Sequence, residues 1–443
     1  MSHSTLRING QRLNSSLQST CSTWGAITNS TGMRRLALSE EDKGVRDWLV
    51  EECKALGCRV KIDQMGNIFA IRDGTSQDKL PIGMGSHLDT QPAGSTSPRK
   101  ISNTDWGIGG RYDGILGVQA ALEVLRTLHE NNTQTHCPVA LIDWTNEEGA
   151  RFPGAMMASG VWSTKSSTGL EACHEIKDME GTTMQKALEY TGYLGQTPCD
   201  YRENGLESYF ELHIEQGPKL EATNNRVGVV TAVQGMKWYA MRVSGVEGHS
   251  GTTPMLQRSD ALVTAARLIA AVSDTAKATG LGVATVGVIT SDTQSQATIP
   301  SGVEFIIDIR CSTDAMVEDL CTAIFKRFDD IIQKEKNNTS YSVLRTWGLP
   351  ESIFHDDCIS AVRSAAVAEV GPSKIMDMKS GAGHDAAWTS KVVKSSMIFV
   401  PSKDGISHNP AEYTTPENCD LGAQVLLQAV LGYDESIRNG MNP

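Results

Sequence analysis

Five of the ten histidines in this 443-residue chain lie in short segments that also carry acidic, glycine or serine residues. They are His87, His213, His249, His384 and His408. Imidazole and carboxylate groups are common ligands of divalent transition metals, and they are also frequent general acids and bases in enzymes. The chemistry that the sequence offers is therefore metal binding, proton transfer or both.

The strongest acidic signal is the pair Glu147 and Glu148, which follows an apolar segment at 139–144. Adjacent carboxylates at the end of a buried strand repel each other unless a cation or a proton lies nearby. One of them could then ligate a metal while the other accepts a proton from water. A solvated acidic turn explains the pair equally well, so the pair alone leaves both interpretations open.

Two aspartates accompany the first of these histidines along the chain. Asp89 stands two residues after His87, and side chains two apart on an extended chain point the same way, so Asp89 is predicted to orient the His87 ring. Asp113 stands in the segment Arg-Tyr-Asp-Gly just before a predicted helix, where an ordinary helix cap is the alternative.

Two further histidine segments complete the set. Residues 211–216 alternate apolar and polar in the manner of a strand at a sheet edge, which would place His213 and Glu215 on one side. His408 lies in a loop bounded by glycine and proline, which suits a ligand held on a rigid backbone. Histidines and carboxylates without a thiolate suit a two-metal hydrolytic centre of zinc, manganese or a similar ion, although spacing alone does not prove that they converge.

The elements that must position these groups alternate between strands and helices. Strands are predicted at 80–84 and 139–144, with a helix at 114–129 between them. This alternation predicts an α/β domain with a mixed, largely parallel sheet flanked by helices. Ligand sites in such sheets lie at the carboxyl ends of the strands, where the first histidine and the acidic pair fall.

A different pattern occupies residues 235–350. Its strands and helices follow the order β-α-β-β-α-β, which is typical of a ferredoxin-like module. The α/β pattern resumes afterwards, and 443 residues exceed what one hydrophobic core usually holds. The sequence therefore predicts a discontinuous catalytic domain of residues 1–234 and 351–443, with residues 235–350 inserted in it.

Composition excludes several classes of partner. The net charge of −12 disfavours nucleic acid and anionic membrane surfaces, and the apolar runs are too short to span a bilayer. Ten cysteines without paired spacing are typical of reduced intracellular thiols. We therefore expect neither a nucleic-acid partner nor a membrane partner.

Seven motifs occur in order along the chain: GSHLDTQPAG (85–94), GRYDGILGV (110–118), NEEGARF (146–152), ELHIEQGP (211–218), GHSGTTPM (248–255), SGAGHDA (380–386) and PSKDGISHNPAEYT (401–414). Together they resemble the hydantoinase/carbamoylase branch of the M20 metallopeptidase superfamily, which includes N-carbamoyl-L-amino-acid hydrolases, β-ureidopropionases and allantoate amidohydrolases. The resemblance begins near Arg7. It implies that the inserted module is both a lid and a dimer interface and, because it leaves little room for a presequence, that the protein is cytoplasmic.

The resemblance also implies a metal centre with two divalent ions per subunit. Asp113 would bridge the ions, Asp89 would orient the first ligand, and Glu147 would be the general base. The ligands that complete the two shells would be His87, Glu148, His213 and His408. Zn²⁺ is favoured for such a set, and Mn²⁺, Co²⁺ and Ni²⁺ are alternatives.

The remaining residues are implied to bind a small ureido or amide substrate that carries a carboxylate. Arg310 would bind this carboxylate, and Gln216 and His384 would bind the other polar groups. His249 would reach the reacting oxygen from the neighbouring subunit, so that a homodimer would complete each active site in trans.

Two features of the sequence depart from the family pattern. Ser95–Gly109 is additional, and we predict a surface loop beside the cleft, with a translated intron as the competing explanation. Ala297 stands where the family commonly has asparagine, which leaves the exact substrate open.

The expected function is hydrolysis of the C–N bond of an N-carbamoyl amino acid to the amino acid, ammonia and carbon dioxide. Hydrolysis of allantoate or ureidoglycine is the alternative within the same class, followed by aminoacylase or dipeptidase activity. A catalytically inactive relative that acts as a binding protein is the alternative from another class.

Overall fold

The computed structural model describes residues 6–76, 78–91, 109–335 and 337–440. The chain forms two compact units. One unit consists of Met1–Ala232 and Ile353–Pro443, and the other is Val233–Ser352.

The described residues contain fifteen strands and twelve α-helices. In chain order the strands are β1 (Arg59–Ile62), β2 (Ile68–Arg72), β3 (Ile82–His87), β4 (Val139–Trp144), β5 (Ser208–Ile214), β6 (Val227–Val233), β7 (Gly235–Ser244), β8 (Gly248–His249), β9 (Gly282–Ser291), β10 (Thr298–Ile299), β11 (Gly302–Cys311), β12 (Ser340–Leu349), β13 (Ser352–Ile353), β14 (Ile375–Ser380) and β15 (Lys394–Val400). The helices are α1 (Gly10–Thr23), α2 (Glu40–Ala55), α3 (Ile115–Glu130), α4 (Met157–Ser163), α5 (Leu170–His174), α6 (Met184–Thr191), α7 (Lys219–Ala222), α8 (Ala261–Thr279), α9 (Asp314–Glu335), α10 (Asp356–Val370), α11 (Asp385–Thr389) and α12 (Pro416–Arg438).

The first unit is built on a nine-stranded sheet of order β1-β2-β4-β3-β5-β15-β6-β13, with β14 paired to β6. The four central strands β4, β3, β5 and β15 are parallel, and β2 and β6 join them antiparallel on either side. Helices α3 and α12 pack against this sheet. The predicted fold class, a mixed and largely parallel sheet flanked by helices, is confirmed.

The central strands are buried along their whole length, which explains their apolar sequences. Every residue of β3, β4 and β5 is buried, and so is α3 from Ile115 to Leu128. Parallel strands covered by helices have no solvated face, so their side chains are apolar or make specific polar contacts. The strand ends are the places where polar groups can reach solvent.

The segment 211–216 does not lie at a sheet edge, and this prediction is wrong. Strand β5 is central, with parallel neighbours β3 and β15. Its polar residue Glu211 is buried and accepts hydrogen bonds from Ser86 Oγ at 2.7 Å and Ala386 N at 2.8 Å. Glu215 lies beyond the strand, where it accepts hydrogen bonds from the first main-chain N–H groups of α7. The alternation of apolar and polar residues in this segment therefore reflects buried polar contacts and not exposure of one face to solvent.

The second unit contains a four-stranded antiparallel sheet of order β12-β7-β11-β9 and the helices α8 and α9. Its elements follow the order β-α-β-β-α-β along the chain, apart from the short antiparallel pair β8 and β10. One apolar cluster from the sheet and both helices forms its core, with Phe305 and Phe328 among its largest members. Its roles as a lid and as a dimer interface stay predictions.

None of the helices in the described part of the chain combines the length and the apolar character that a membrane span requires. The ten cysteines all lie within the described ranges, and each is buried and free.

A buried ion cluster joins α2 to the sheet of the first unit. The guanidinium of Arg46 donates to Asp42 Oδ2 at 2.8 Å and to the carbonyl oxygen of Gly66 at 2.9 Å. It also lies 3.3 Å from Asp143 Oδ2 in β4, and all three charged side chains are fully buried.

We expect Arg46→Met to lower the free energy of unfolding by about 3–5 kcal/mol, because two carboxylates would lose their buried partner. Urea denaturation followed by circular dichroism measures this. Lys43→Ala is the control, since Lys43 pairs with Asp47 on the exposed face of the same helix and should change stability by less than about 0.5 kcal/mol. Equal effects of the two substitutions would contradict this account of the cluster.

Candidate metal centre

The five side chains predicted as metal ligands form two groups that share one carboxylate. The first group is His87, Asp113 and His213, and the second is Asp113, Glu148 and His408. Within each group the possible ligand atoms lie within 4.8 Å of one another. Asp113 turns Oδ1 towards the first group and Oδ2 towards the second. A carboxylate in this position can bridge two cations.

These residues meet because four parallel strands end at the same side of the sheet. His87 is the last residue of β3, and His213 is the residue before the last of β5. Glu148 follows the end of β4, and His408 lies in the loop after β15. The prediction that the site lies at the carboxyl ends of the strands agrees with this placement.

Main-chain carbonyls hold the two imidazoles of the first group. Nδ1 of His87 lies 2.9 Å from the carbonyl oxygen of Asp89, and Nδ1 of His213 lies 2.8 Å from that of Ile214. Because a carbonyl oxygen only accepts, each Nδ1 carries a hydrogen, and in a neutral ring Nε2 keeps its lone pair. Both Nε2 atoms face Asp113, so the rings have the tautomer and direction that metal ligation requires.

The atoms around Nε2 of His213 favour a positive charge at this position. This Nε2 lies 3.0 Å from Asp113 Oδ1 and 3.1 Å from Gly114 N. Two acceptor atoms at that distance need a proton or a cation between them. Burial lowers the pKa of His213, but the hydrogen bond and charge of Asp113 outweigh burial and raise this pKa to about 9.

The second group is the more accessible of the two. Nε2 of His408 lies 3.2 Å from Asp113 Oδ2 and 3.6 Å from Glu148 Oε2. The His408 side chain is 47% exposed, whereas the His87 and His213 side chains are each 1% exposed. Gln91 orients Glu148, because its Nε2 donates to Glu148 Oε2 at 2.9 Å.

Several buried carboxylates surround the ligand atoms. Burial, together with Asp385 and Glu148, raises the pKa of Glu147 well above its usual range. Burial and Asp113 raise the pKa of Glu148 to about 7, and they do the same for Glu412. Buried carboxylates at this density require compensating charge. The nitrogen and oxygen donors, with no thiolate among them, fit divalent cations such as Zn²⁺ or Mn²⁺.

Asp89 orients His87, but not through its carboxylate as predicted. The carboxylate oxygen lies 3.9 Å from His87 Nδ1, and the hydrogen bond comes from the Asp89 carbonyl. The carboxylate accepts instead from the main-chain N–H groups of Glu147 and Glu148, at 3.2 and 3.3 Å. The prediction assumed an extended chain through residue 89, whereas β3 ends at His87. Asp89 therefore links the first histidine to the acidic pair.

Glu147 lies beside the first group without belonging to it. Its Oε2 is 3.6 Å from His87 Nε2, and the residue is 6% exposed. The preceding Asn146 has φ +57°, and its side-chain amide donates to the carbonyl oxygen of Phe152 at 3.0 Å. This fixed turn presents the acidic pair at the end of β4. The role of Glu147 as general base stays a prediction.

Gln216 and His384, predicted to bind substrate, both lie next to the ligands. Gln216 Nε2 donates to Asp113 Oδ2 at 2.7 Å. His384 is buried, its Nε2 lies 2.9 Å from Ser380 Oγ, and its ring centroid is 4.4 Å from that of His213. Gln216 thus contacts the shared carboxylate directly.

His249 and Arg310 belong to the second unit and to neither ligand group. His249 is exposed at its position in β8, and its Nδ1 accepts from Gly251 N at 3.0 Å. Arg310 in β11 donates to Asp308, two residues earlier, at 2.6 Å. The main-chain carbonyl of Ala297 accepts from Ser250 N at 2.9 Å, next to His249. The predicted roles of His249 and Arg310 in binding and catalysis stay predictions.

The additional segment Ser95–Gly109 lies outside the described residues except for Gly109. The described residues on its two sides are adjacent, since a Cβ built on Gly109 would lie 2.9 Å from the carbonyl oxygen of Gln91. Gln91 and Gly109 are therefore neighbours in the fold. Its predicted place as a loop beside the cleft stays a prediction.

The sequence did not single out three residues that support the ligands. Gln91 contacts Glu148, while Ser407 and Glu412 contact the segment that carries Asp113. Gln91 and Glu412 each stand four residues after a predicted histidine ligand, inside the motifs at 85–94 and 401–414. Their positions inside these two motifs were the sequence signal that could have identified Gln91 and Glu412.

A mixed α/β unit with two metal-ligand groups at the ends of its parallel strands has the architecture of a metal-dependent hydrolase. Residues 83–432 match the family described as Peptidase family M20/M25/M40, and the chain belongs to this family. The assignments to the M20 superfamily and to the hydrolases are confirmed.

Relatives cover almost the whole chain. It is 36% identical over 426 residues to an N-carbamoyl-L-amino-acid amidohydrolase of Rhizobium meliloti, with 96% of each protein covered. It is 30% identical to an allantoate amidohydrolase of Bacillus subtilis, with 89% of this chain and 91% of that protein covered. The crystal structure of a hydantoinase/carbamoylase family amidase from Burkholderia vietnamiensis is similar with a TM-score of 0.86 and 38% identity, covering 97% and 98% of the two chains.

The shared carboxylate leads to a prediction about metal content. We expect His408→Ala to bind about one divalent ion per chain, where the unaltered protein binds about two, and Asp113→Ala to bind almost none, because only Asp113 serves both groups. Elemental analysis of dialysed protein measures this. His129→Ala, an exposed histidine near the end of α3, is the control and should retain the full content. Full metal content in Asp113→Ala would contradict the arrangement.

Proposed function

We propose that this protein is an amidohydrolase with two divalent cations, which cleaves the C–N bond of an N-carbamoyl amino acid. One water is consumed, and the products are the free amino acid, ammonia and carbon dioxide. The observation that carries the proposal is the position of Asp113 between two ligand groups with Glu147 beside them. Similarity to the Rhizobium N-carbamoyl-L-amino-acid amidohydrolase over nearly the whole chain supports the choice of substrate class.

The five ligand residues would hold the cations, with Asp113 shared. When bound, the cations would lower the pKa of water and polarise the ureido carbonyl. Zn²⁺ is the first candidate, and Mn²⁺, Co²⁺ and Ni²⁺ suit the same donors.

Glu147 moves the proton in this proposal. It accepts a proton from the attacking water and returns it to the nitrogen that leaves. Burial favours the protonated form of Glu147, which suits a group that must hold a proton between these two steps. Glu148, one residue further, stays a ligand because Gln91 and the second group fix its carboxylate. The two neighbouring glutamates thus have different tasks.

The second unit is proposed to recognise the substrate. Arg310 would exchange its bond to Asp308 for two parallel hydrogen bonds to the substrate carboxylate. His249 would donate a hydrogen bond to the reacting oxygen, from the neighbouring subunit of a homodimer. Gln216 and His384 would contact the remaining polar groups of the substrate. The cytoplasm stays the predicted location.

Hydrolysis of allantoate, or of the related ureidoglycine, is the second candidate function. The similarity to the Bacillus subtilis allantoate amidohydrolase supports it, and the same metal centre and the same Glu147 would serve it. Ala297 provides no side-chain amide at its position, so one polar contact of the carbamoylase pattern must come from another group. Activity on N-carbamoyl-L-amino acids, N-carbamoyl-β-alanine and allantoate, compared side by side, distinguishes these candidates.

We expect Glu147→Gln to lower kcat by about 100- to 10,000-fold, because the amide cannot accept the proton. The same variant should keep its full metal content, since Glu147 belongs to neither ligand group. Release of ammonia measures turnover, and elemental analysis measures the metal. Glu148→Gln is the matched comparison and should lose metal as well as activity. Unchanged kcat in Glu147→Gln would remove Glu147 from the role of base.

We expect Arg310→Met to lower kcat/KM for an N-carbamoyl amino acid by about 10- to 100-fold, because hydrogen bonds to a charged group are lost. For the N-carbamoyl amino-acid amide, in which a neutral amide replaces the carboxylate, the same substitution should have little effect on kcat/KM. Arg242→Met is the control, since Arg242 lies on the same sheet and pairs with Glu304 at the surface. Equal losses on both substrates would contradict recognition of the carboxylate by Arg310.

A further inference from the structure

Glu412 is a buried carboxylate that no step of the proposed reaction uses. It is 5% exposed and lies in the loop between β15 and α12. Its Oε1 accepts hydrogen bonds from Tyr112 N at 2.9 Å and Asp113 N at 3.1 Å. Its Oε2 lies 2.9 Å from Ser407 Oγ. One side chain therefore connects two segments about 300 residues apart in the sequence, and each segment carries a metal-ligand candidate.

The first of these segments is shaped to receive the carboxylate. A Cβ built on Gly110 would lie 1.9 Å from the carboxyl carbon of Glu412, so any larger residue at 110 would collide with it. The Tyr112 ring packs edge-to-face against Tyr413, with centroids 5.8 Å apart. Gly110 and the two tyrosines thus position the main-chain N–H groups of residues 112 and 113 for hydrogen bonds to the Glu412 carboxylate.

In the second segment, the hydroxyl of Ser407 has two possible acceptors. Its Oγ lies 3.0 Å from Asp113 Oδ2 and 2.9 Å from Glu412 Oε2, and a hydroxyl has one hydrogen to donate. When Ser407 donates to Glu412, Oδ2 of Asp113 keeps a lone pair for a cation. The next residue is His408, whose Nε2 faces the same Oδ2 at 3.2 Å.

We propose that Glu412 is a positioning residue that fixes Asp113 and His408 relative to each other and so sets the metal affinity of the centre. It acts through hydrogen bonds to main-chain N–H groups and to Ser407, not by touching a cation or the substrate. The inference rests on the proposed metal centre. It assigns to Glu412 the task that outer hydrogen-bond partners have in metal sites, where their loss costs about 10- to 100-fold in affinity.

The test compares Glu412→Ala with Glu412→Gln. The amide oxygen of glutamine can still accept from both main-chain N–H groups, although its NH2 group can no longer accept from Ser407, whereas alanine loses all three hydrogen bonds. We expect Zn²⁺ affinity, measured by competition with a chromophoric chelator, to fall by about 10- to 100-fold in Glu412→Ala and to recover part of this loss in Glu412→Gln, which keeps the two main-chain hydrogen bonds but not the one from Ser407. Asp434→Ala is the matched control. Asp434 is a buried carboxylate in α12, away from the centre, and it accepts hydrogen bonds from the main-chain N–H groups of His136 and Cys137.

A second measurement separates positioning from a general loss of stability. We expect the rise in melting temperature on adding Zn²⁺ to shrink in Glu412→Ala and to stay unchanged in Asp434→Ala, even though both variants should melt earlier without metal. If Glu412→Ala does not fold, Glu412→Asp replaces it in both measurements. The aspartate side chain is one methylene shorter and cannot reach both Ser407 and the main-chain N–H groups of residues 112 and 113.

Three outcomes are decisive. Zn²⁺ affinity in Glu412→Ala, or in Glu412→Asp, equal to that of the unaltered protein would overturn the inference and leave the metal centre intact. An equal loss in Glu412→Gln and Glu412→Ala would also overturn it, because the two main-chain hydrogen bonds that glutamine keeps would then not contribute to the metal affinity. An unaltered protein that binds no Zn²⁺, Mn²⁺ or Co²⁺ would refute the proposed function itself.

Discussion

The carboxylate of Asp113 lies between imidazoles from three separate parts of the chain, and much of the first unit serves to keep it there. Its Oδ1 is 3.0 Å from one histidine nitrogen and its Oδ2 is 3.2 Å from another. A buried carboxylate in such a place is tolerated only when positive charge and hydrogen-bond donors surround it. The main-chain N–H of Asp113 is bound by Glu412, and Oδ2 receives the amide of Gln216. The centre thus has its donors and acceptors arranged around one residue.

The parallel strands give this arrangement its rigidity. Each of the four central strands ends near the site, and the strand ends and the chain after them supply the candidate ligands or the groups that contact them. The imidazoles of His87 and His213 are fixed by carbonyls of the strand ends, so the backbone itself selects their tautomer. Because the strands are buried on both faces, these carbonyls cannot shift without disturbing the packing. Polar residues inside the sheet, such as Glu211, have partners there and need no solvent.

The sequence predicted the main features of the fold and the residues that form the candidate metal-ligand groups, for different reasons. Strands 139–144 and 302–311 were predictable because their apolar and alternating patterns match their burial. The ligand candidates were predictable because their histidines and carboxylates lie in motifs that match a family, and their roles as ligands stay predictions. Asp89 was misread because a hydrogen bond to a carbonyl leaves no trace in residue type. Glu412 was missed for a related reason, since its partners are main-chain N–H groups and its distance from Asp113 along the chain is close to 300 residues.

The most direct test of the account is anomalous X-ray diffraction from crystals grown with Zn²⁺ and measured on both sides of the zinc absorption edge. The account predicts two anomalous peaks within bonding distance of Asp113, one shared with His87 and His213 and the other with Glu148 and His408. Zinc bound only at other residues, or peaks that leave Asp113 without a cation on either oxygen, would contradict it.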